Sequence, residues 1–143
     1  MYLLHGKNIT CGYDTVDILS ECTVGVKKGE IASIVGPNGA GKSTAMKSIF
    51  GLLKIKIGEI FLDNEDITNL LPQERVLRGM GYVPQTNNIF PTLSVQENLE
   101  MGAFIQNDDF SDILDFVYDL FPVLKEKRNQ QAGELSGGQR QQV

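Results

Sequence analysis

The segment that most restricts how this chain can fold is a glycine-rich stretch, Gly36–Ser43, which reads Gly-Pro-Asn-Gly-Ala-Gly-Lys-Ser. It directly follows Ile31–Val35, a β-prone run whose nearly continuous apolar character predicts a strand buried on both faces. It precedes Ser43–Leu53, where apolar residues recur at helical spacing. A buried strand, a glycine loop and a helix in direct succession predict an α/β fold.

This stretch also has the composition of a phosphate-binding loop: Gly, four residues, then Gly-Lys-Ser. Glycines let backbone N–H groups close around phosphate oxygens, and a helix that begins near Lys42 adds its positive dipole end. Lys42 would reach the β- and γ-phosphates of a nucleotide, and the Ser43 hydroxyl would bind Mg²⁺. The alternative is a chance glycine turn before a helix, but the flanking strand and helix favour the nucleotide site.

The remaining pattern divides the chain near residue 90. Residues 1–30 alternate apolar and polar positions, as expected for antiparallel strands with one solvated face. A strand and turn are predicted over 58–67, a short helix over 72–78 and a strand at 81–83. We therefore predict a nucleotide-binding core with an antiparallel β region over 1–89 and a helical subdomain over 90–143.

Two capping boxes predict helix starts in the second part. Ser94 and Glu97 begin a helix that extends to about Phe104, and Ser136 and Gln139 begin another near the end of the chain. Between them, one apolar helical face is expected to pack into a core rather than lie on a membrane: Phe110, Ile113, Leu114, Val117 and Phe121. The exposed N–H groups after Ser136 would form a second anion site.

Composition excludes several classes of protein. The 143 residues carry a net charge of −5, which disfavours a nucleic-acid binder, because such a protein needs a basic surface. No apolar run is long enough to span a membrane, and residues 1–7 contain no apolar export signal. Cys11 and Cys22 are too few for a disulfide framework and are expected to be small buried hydrophobic residues.

Together, three motifs resemble the ATP-binding subunits of ABC transporters. They are the phosphate loop, Tyr82-Val83-Pro84-Gln85, and Leu135-Ser136-Gly137-Gly138-Gln139, which corresponds to the family signature. Two further stretches, 93–102 and 117–127, resemble the LivF-type importers of branched-chain amino acids. The resemblance implies a P-loop ATPase core, ATP and Mg²⁺ as cofactors, and ATP hydrolysis that drives solute import.

The same resemblance implies roles for individual residues. Lys42 and Gln85 would be the catalytic residues present, with Ser43 and Gln85 at Mg²⁺. Tyr13 would stack on adenine, with an ordinary turn aromatic as the alternative, and the alternative for Gln85 is a solvated loop amide. The implied ATP-binding set is Tyr13, Gly36, Pro37, Asn38, Gly39, Ala40, Gly41, Lys42, Ser43 and Thr44. The signature set, implied to contact ATP held by the opposite subunit, is Ser136, Gly137, Gly138 and Gln139.

The implied partners are a second ATP-binding subunit, identical or not, and a transmembrane permease subunit that docks near 85–100. The alternative for this segment is that its apolar residues Ile89, Phe90 and Leu93 pack inside the chain. The implied partners would place the protein in the cytoplasm at the inner face of the membrane, with no nucleic-acid partner. The family's later elements (Walker B strand, D-loop and switch histidine) have no counterpart in the 143 residues, so we expect weak hydrolysis and self-association through unpaired strand edges. The alternatives are a truncated, non-catalytic nucleotide binder and a soluble ABC protein of translation or DNA maintenance.

Overall fold

The computed structural model describes residues 1–104 and 109–143. These residues form two compact units, Met1–Tyr82 and Val83–Val143. Each unit has its own cluster of buried apolar side chains. The division into domains at residue 90 stays a prediction.

The first unit contains a four-stranded antiparallel sheet. Its strands are β1 (Leu4–Tyr13), β2 (Val16–Val26), β3 (Ile55–Leu62) and β4 (Glu65–Asp66), arranged in the order β2-β1-β3-β4. β1 and β2 form a hairpin in which Tyr13 lies opposite Val16, and Asp14 in the turn adopts a φ of 51°. The antiparallel strands predicted for residues 1–30 are confirmed, as are the strand and turn predicted near 58–67.

A helix packs on this sheet and completes the first core. α1 (Lys42–Phe50) buries Ala45 and Ile49, and the short α2 (Pro72–Leu77) follows later in the chain. The sheet and its following turn supply the other buried residues of this core, Ile9, Cys11, Leu19, Ile60 and Ile67. Full burial of one isoleucine side chain stabilises a fold by about 1.5–3 kcal/mol, so these contacts hold α1 against the sheet. The helix predicted from about residue 42 and the burial of Cys11 are confirmed.

Two predicted strands are wrong. Residues 31–35 and 81–83 are not strands, and Ile31 and Val35 are 98% and 87% exposed. A buried parallel strand gains its stability from hydrogen bonds to neighbours in the same sheet. In the described part of the chain, the sheet consists of the four antiparallel strands alone, and none of them pairs with either segment. The β-prone sequence of residues 31–35 therefore enters the glycine loop as irregular, exposed chain.

The second unit is helical, as predicted. Its helices are α3 (Val95–Gly102), α4 (Ser111–Leu120), α5 (Pro122–Glu126) and α6 (Gly137–Gln142), with a 3-10 helix at Ala132–Glu134. Its core consists of Val95, Tyr118, Leu124, Ala132 and Leu135. Both predicted capping boxes are present, at the starts of α3 and α6.

The apolar face predicted for α4 is correct only in part. Leu114, Val117 and Phe121 pack against the core, but Ile113 is 48% exposed. Tyr118, which lies just beyond the predicted face, is the buried residue of this helix. The buried stripe is therefore rotated toward Tyr118. Among the described residues, no helix combines the length and apolar character that crossing a bilayer requires.

Candidate functional site

The glycine-rich loop reaches α1 through two residues with left-handed backbone conformations. Gly39 and Gly41 have φ values of +85° and +86°, a region that side chains with a Cβ rarely adopt. A Cβ on Gly41 would also lie 2.7 Å from Cδ2 of Leu19, whereas a Cβ on Gly39 would meet nothing within 4 Å. Gly41 is thus required both for the turn into α1 and for its close approach to β2.

Lys42 folds back over this loop. Its Nζ donates hydrogen bonds to the carbonyl oxygens of Gly36 and Pro37, both at 2.8 Å. An ammonium group has three N–H donors, and these bonds account for two of them. The cation is therefore held against the first two residues of the loop, beside backbone groups that could surround an anion.

The first turn of α1 presents backbone donors. The residue before the helix is Gly41, which has no side chain to cap it, and the first bond within the helix joins the Ala45 N–H to the Gly41 carbonyl at 2.9 Å. The N–H groups of the first turn have no acceptor inside a helix, and they carry the positive end of its dipole. The Ser43 side chain is exposed at this end, whereas Thr44 is buried. This arrangement of donors and positive charge suits a phosphate group.

A cavity of about 550 Å³ lies beside the same helix. Lys42 and Ser43 form part of its wall. Apolar side chains of Leu4, Val24 and Met46 also line it. An ammonium and a hydroxyl in the wall of a mostly apolar cavity would fix the orientation of a bound ligand.

Tyr13 lies at the hairpin end of the first unit. It is the last residue of β1, and its side chain is 48% exposed. Cys11, two residues earlier on the same strand, pairs with Leu19, the residue that approaches Gly41. An exposed aromatic ring at this position is available for stacking.

Gln85 and the Ser136–Gln139 segment lie together in the second unit. The Gln141 side chain donates from Nε2 to the Gln85 carbonyl oxygen at 3.2 Å. Ser136 Oγ accepts the Gln139 N–H at 3.3 Å, and Gln139 Oε1 accepts the Ser136 N–H at 3.3 Å. Lys127 Nζ donates to the same Gln139 oxygen at 3.3 Å, which adds a positive charge beside this helix start.

The predicted magnesium ligands are uncharged oxygens. Among residues 1–104 and 109–143, no group of three or more His, Cys, Asp or Glu side chains could hold a metal ion. Mg²⁺ beside a nucleotide keeps several waters and binds phosphate oxygens, with one or two protein ligands. The exposed hydroxyl of Ser43 at the phosphate-suited helix start fits such a ligand set. The side-chain amide oxygen of Gln85 is the other predicted donor, and Gln85 is also exposed.

Two buried polar residues were not predicted from sequence. Arg75 is 2% exposed and donates to main-chain carbonyls at the end of α1. Asn98 is 8% exposed, and its side-chain amide is hydrogen-bonded to the backbone of residues 90–94. The Phe90 N–H, for example, donates to Asn98 Oδ1 at 2.7 Å. Charge in a short helix predicts exposure, so the sequence gives no signal for Arg75. An asparagine inside a helix was a weak signal for Asn98, because that residue is unfavourable there unless its amide is bonded.

Comparison with known proteins identifies the family. The sequence model of the ABC transporter family matches residues 19–143. The chain is 41% identical over 142 residues to a probable branched-chain amino acid transport ATP-binding protein, LivF, of Archaeoglobus fulgidus. It is 36% identical over 142 residues to the high-affinity branched-chain amino acid transport ATP-binding protein BraG of Pseudomonas aeruginosa. Each alignment covers 99% of this chain, but the chain spans only 60% and 61% of these relatives.

A solved structure gives the same result for the fold. A dimeric ATP-binding cassette in a post-hydrolysis state, bound to ADP and Pi, superposes with a TM-score of 0.77 at 29% identity. The match covers 97% of this chain and 66% of that cassette. The resemblance seen in the three motifs is thereby confirmed, including the similarity to LivF-type proteins. The chain belongs to the ABC transporter family, as a part of its ATP-binding domain.

Proposed function

We propose that this chain binds ATP at the 36–44 loop and acts as the ATP-binding component of an ABC transporter. The arrangement of Lys42 at the start of α1 carries the proposal, because it combines a cation, uncapped backbone N–H groups and a helix dipole at one point. The match of residues 19–143 to the family supports it.

Each residue of the loop has a role in this proposal. The backbone N–H groups of 36–44 bind the phosphates, and Lys42 neutralises the β- and γ-phosphate charge. Tyr13 stacks on the adenine ring. Ser43 would hold Mg²⁺, which supplies charge neutralisation on the phosphates when it is bound. Positioning and charge neutralisation are what phosphoryl transfer requires of a protein, so Lys42 and Gln85 serve hydrolysis in the whole protein.

The signature segment contacts a second nucleotide. The N–H groups that follow Ser136, together with Gly137, Gly138 and Gln139, bind the γ-phosphate of ATP held by a second ATP-binding subunit. The dimeric cassette among the similar structures supports this arrangement. Lys127, bonded to Gln139, adds positive charge at the same helix start.

The transported solute is a branched-chain amino acid in this proposal. The names of the LivF and BraG relatives support it. A permease subunit docks near residues 85–100, where Phe90 is 53% exposed, and it holds the protein at the cytoplasmic face of the membrane.

Binding of MgATP by isothermal titration tests the proposal, and Lys47→Ala is a matched control. Lys47 lies in the last turn of α1, on the same helix as Lys42 but at the opposite end. Lys42→Ala should abolish MgATP binding, whereas Lys47→Ala should leave the affinity within about twofold of wild type, because the dipole and the loop amides stay in place. Unchanged affinity of Lys42→Ala would refute the site.

Two further measurements separate the parts of the proposal. Tyr13→Ala should weaken ATP binding with no effect on inorganic phosphate, because it removes only the stacking surface. Phosphate release, measured in the same samples, separates turnover from binding alone. Binding without release would favour the alternative of a non-catalytic nucleotide binder.

A further inference from the structure

The first unit buries a positive charge that the proposed function does not use. Arg75, on α2, is 2% exposed and has the largest of the fully buried side chains. The ion pairs in the described residues join other side chains, namely Lys27–Glu30, Lys56–Asp17 and Arg78–Glu65. Burial without a carboxylate is costly for a cation, so its remaining partners must compensate.

Those partners are main-chain carbonyl oxygens. Arg75 Nε donates to Leu70 at 3.1 Å, and Nη2 donates to Thr68 at 3.0 Å. Nη1 donates to the carbonyls of Ser48, at 3.4 Å, and Ile49. Burial lowers the pKa of the guanidinium, but an arginine keeps its charge in proteins.

Ser48 and Ile49 belong to the last turn of α1. The final carbonyls of a helix have no partner within it, and they carry the negative end of its dipole. The guanidinium therefore binds the C-terminal end of the same helix whose N-terminal end carries Lys42 and Ser43. Since α1 has nine residues, these ends are about 13 Å apart.

The anchor at this end is rigid as well as charged. Arginine's donors form a planar fork, and here that fork is bonded to α1 on one side and to the 68–70 turn on the other. The helix is thereby tied to residues that follow β3, and β3 pairs with β1 in the sheet.

We infer that Arg75 is a positioning residue for phosphate binding, which holds the C-terminal end of α1 so that its first turn and Lys42 stay aligned with the loop. This inference rests on the proposed function, because it assigns Arg75 to the same site. The inference predicts that substituting Arg75 changes nucleotide affinity, although Arg75 binds the end of α1 that lies about one short helix away from the loop.

The test measures MgATP affinity in Arg75→Met, Arg75→Lys and the control Arg78→Met. Arg78 lies just after α2, the helix that carries Arg75. It pairs with Glu65 at 2.9 Å and donates to the Glu74 carbonyl, so these bonds reach no residue of α1. We expect about tenfold weaker binding for Arg75→Met, a smaller loss for Arg75→Lys because the charge is kept, and a change within about twofold for Arg78→Met.

Hydrogen exchange and a second control distinguish positioning from general destabilisation. Arg75→Met should speed exchange at α1 amides while β1 amides stay protected. Ile9→Ala opens a cavity in the same core, lowers stability and leaves every bond of Arg75 in place. Its affinity under conditions where it stays folded should remain near that of wild type.

The outcomes distinguish failure of the role inferred for Arg75 from failure of the proposed function. Equal losses of affinity in Ile9→Ala and Arg75→Met would overturn the inference, and so would a folded Arg75→Met protein with wild-type affinity. If Arg75→Met does not fold, Arg75→Lys decides, and wild-type affinity and α1 exchange in that variant would overturn the inference. Failure of the wild-type chain to bind MgATP would instead refute the proposed function, and this role with it.

Discussion

Substituting alanine at two neighbouring glycines of the phosphate loop should separate backbone strain from steric contact. Gly39 and Gly41 have nearly the same φ, so alanine at either position incurs a similar left-handed penalty of about 1–2 kcal/mol. Only Gly41 faces a neighbour: its Cβ would lie 2.7 Å from Leu19 Cδ2, well inside the 3.4 Å at which such contacts become ordinary.

The contact should add a second cost to Gly41→Ala. Leu19 is 7% exposed in the first core, so its methyl group can move only by disturbing packed neighbours. Overpacking of this kind costs about 1–3 kcal/mol. We therefore expect the free energy of unfolding to fall by about 1–2 kcal/mol in Gly39→Ala and by about 2–5 kcal/mol in Gly41→Ala, the sum of the two terms.

Urea denaturation of the two variants and a double-mutant cycle measure this difference. Leu19→Ala removes Cδ2 and, by itself, destabilises the core by about 2–5 kcal/mol. In the Gly41→Ala background that loss should be smaller by about 1 kcal/mol or more, because the clash is relieved. Equal stabilities of the two glycine variants, or additive effects of Gly41→Ala and Leu19→Ala, would refute the reasoning.

Three other predictions concern single side chains. Hydrogen bonds from the Ser94 N–H and hydroxyl lower the pKa of Glu97. The contribution of Glu97 to stability is therefore present above about pH 4.5 and is lost as the pH falls through the lowered value. Glu97→Gln should make the free energy of unfolding depend less on pH in this acidic range. Asn98→Leu removes the acceptor of the part-buried Phe90 N–H, whereas the Phe90 and Ser94 carbonyls keep backbone N–H donors. It should destabilise the second unit by about 1–3 kcal/mol in urea unfolding, and a change below about 0.5 kcal/mol would contradict this. Burial raises the pKa of the Cys11 thiol, so a thiol reagent at about pH 8 should label the half-buried Cys22 first and Cys11 only on unfolding. Cys22→Ser should remove the fast phase of labelling.

Local signals in the sequence predicted local structure well. The capping boxes at Ser94 and Ser136 and the start of α1 near Lys42 depend on residues within one helical turn of each other. The hairpin of β1 and β2 was likewise predictable, because its alternation and turn lie in one continuous stretch.

Structure that depends on distant residues was not predicted. The run 31–35 has strand propensity, but a strand needs a neighbour to pair with, and its own sequence cannot supply one. Arg75 was missed for the same reason: its burial depends on carbonyl groups of 48 and 49, which are more than 25 residues away. The start of the helix that follows the glycine loop was predictable, whereas the anchoring of its other end was not.

The separation of the two cores has a consequence for synthesis of the protein. All seven buried residues of the first core lie between residues 9 and 67, and all those of the second lie after residue 94. Translation at roughly 5–20 residues per second would complete the first unit about 3–12 s before the 61 residues of the second. On the ribosome, the phosphate loop would therefore meet cellular nucleotide before the signature helix has been made.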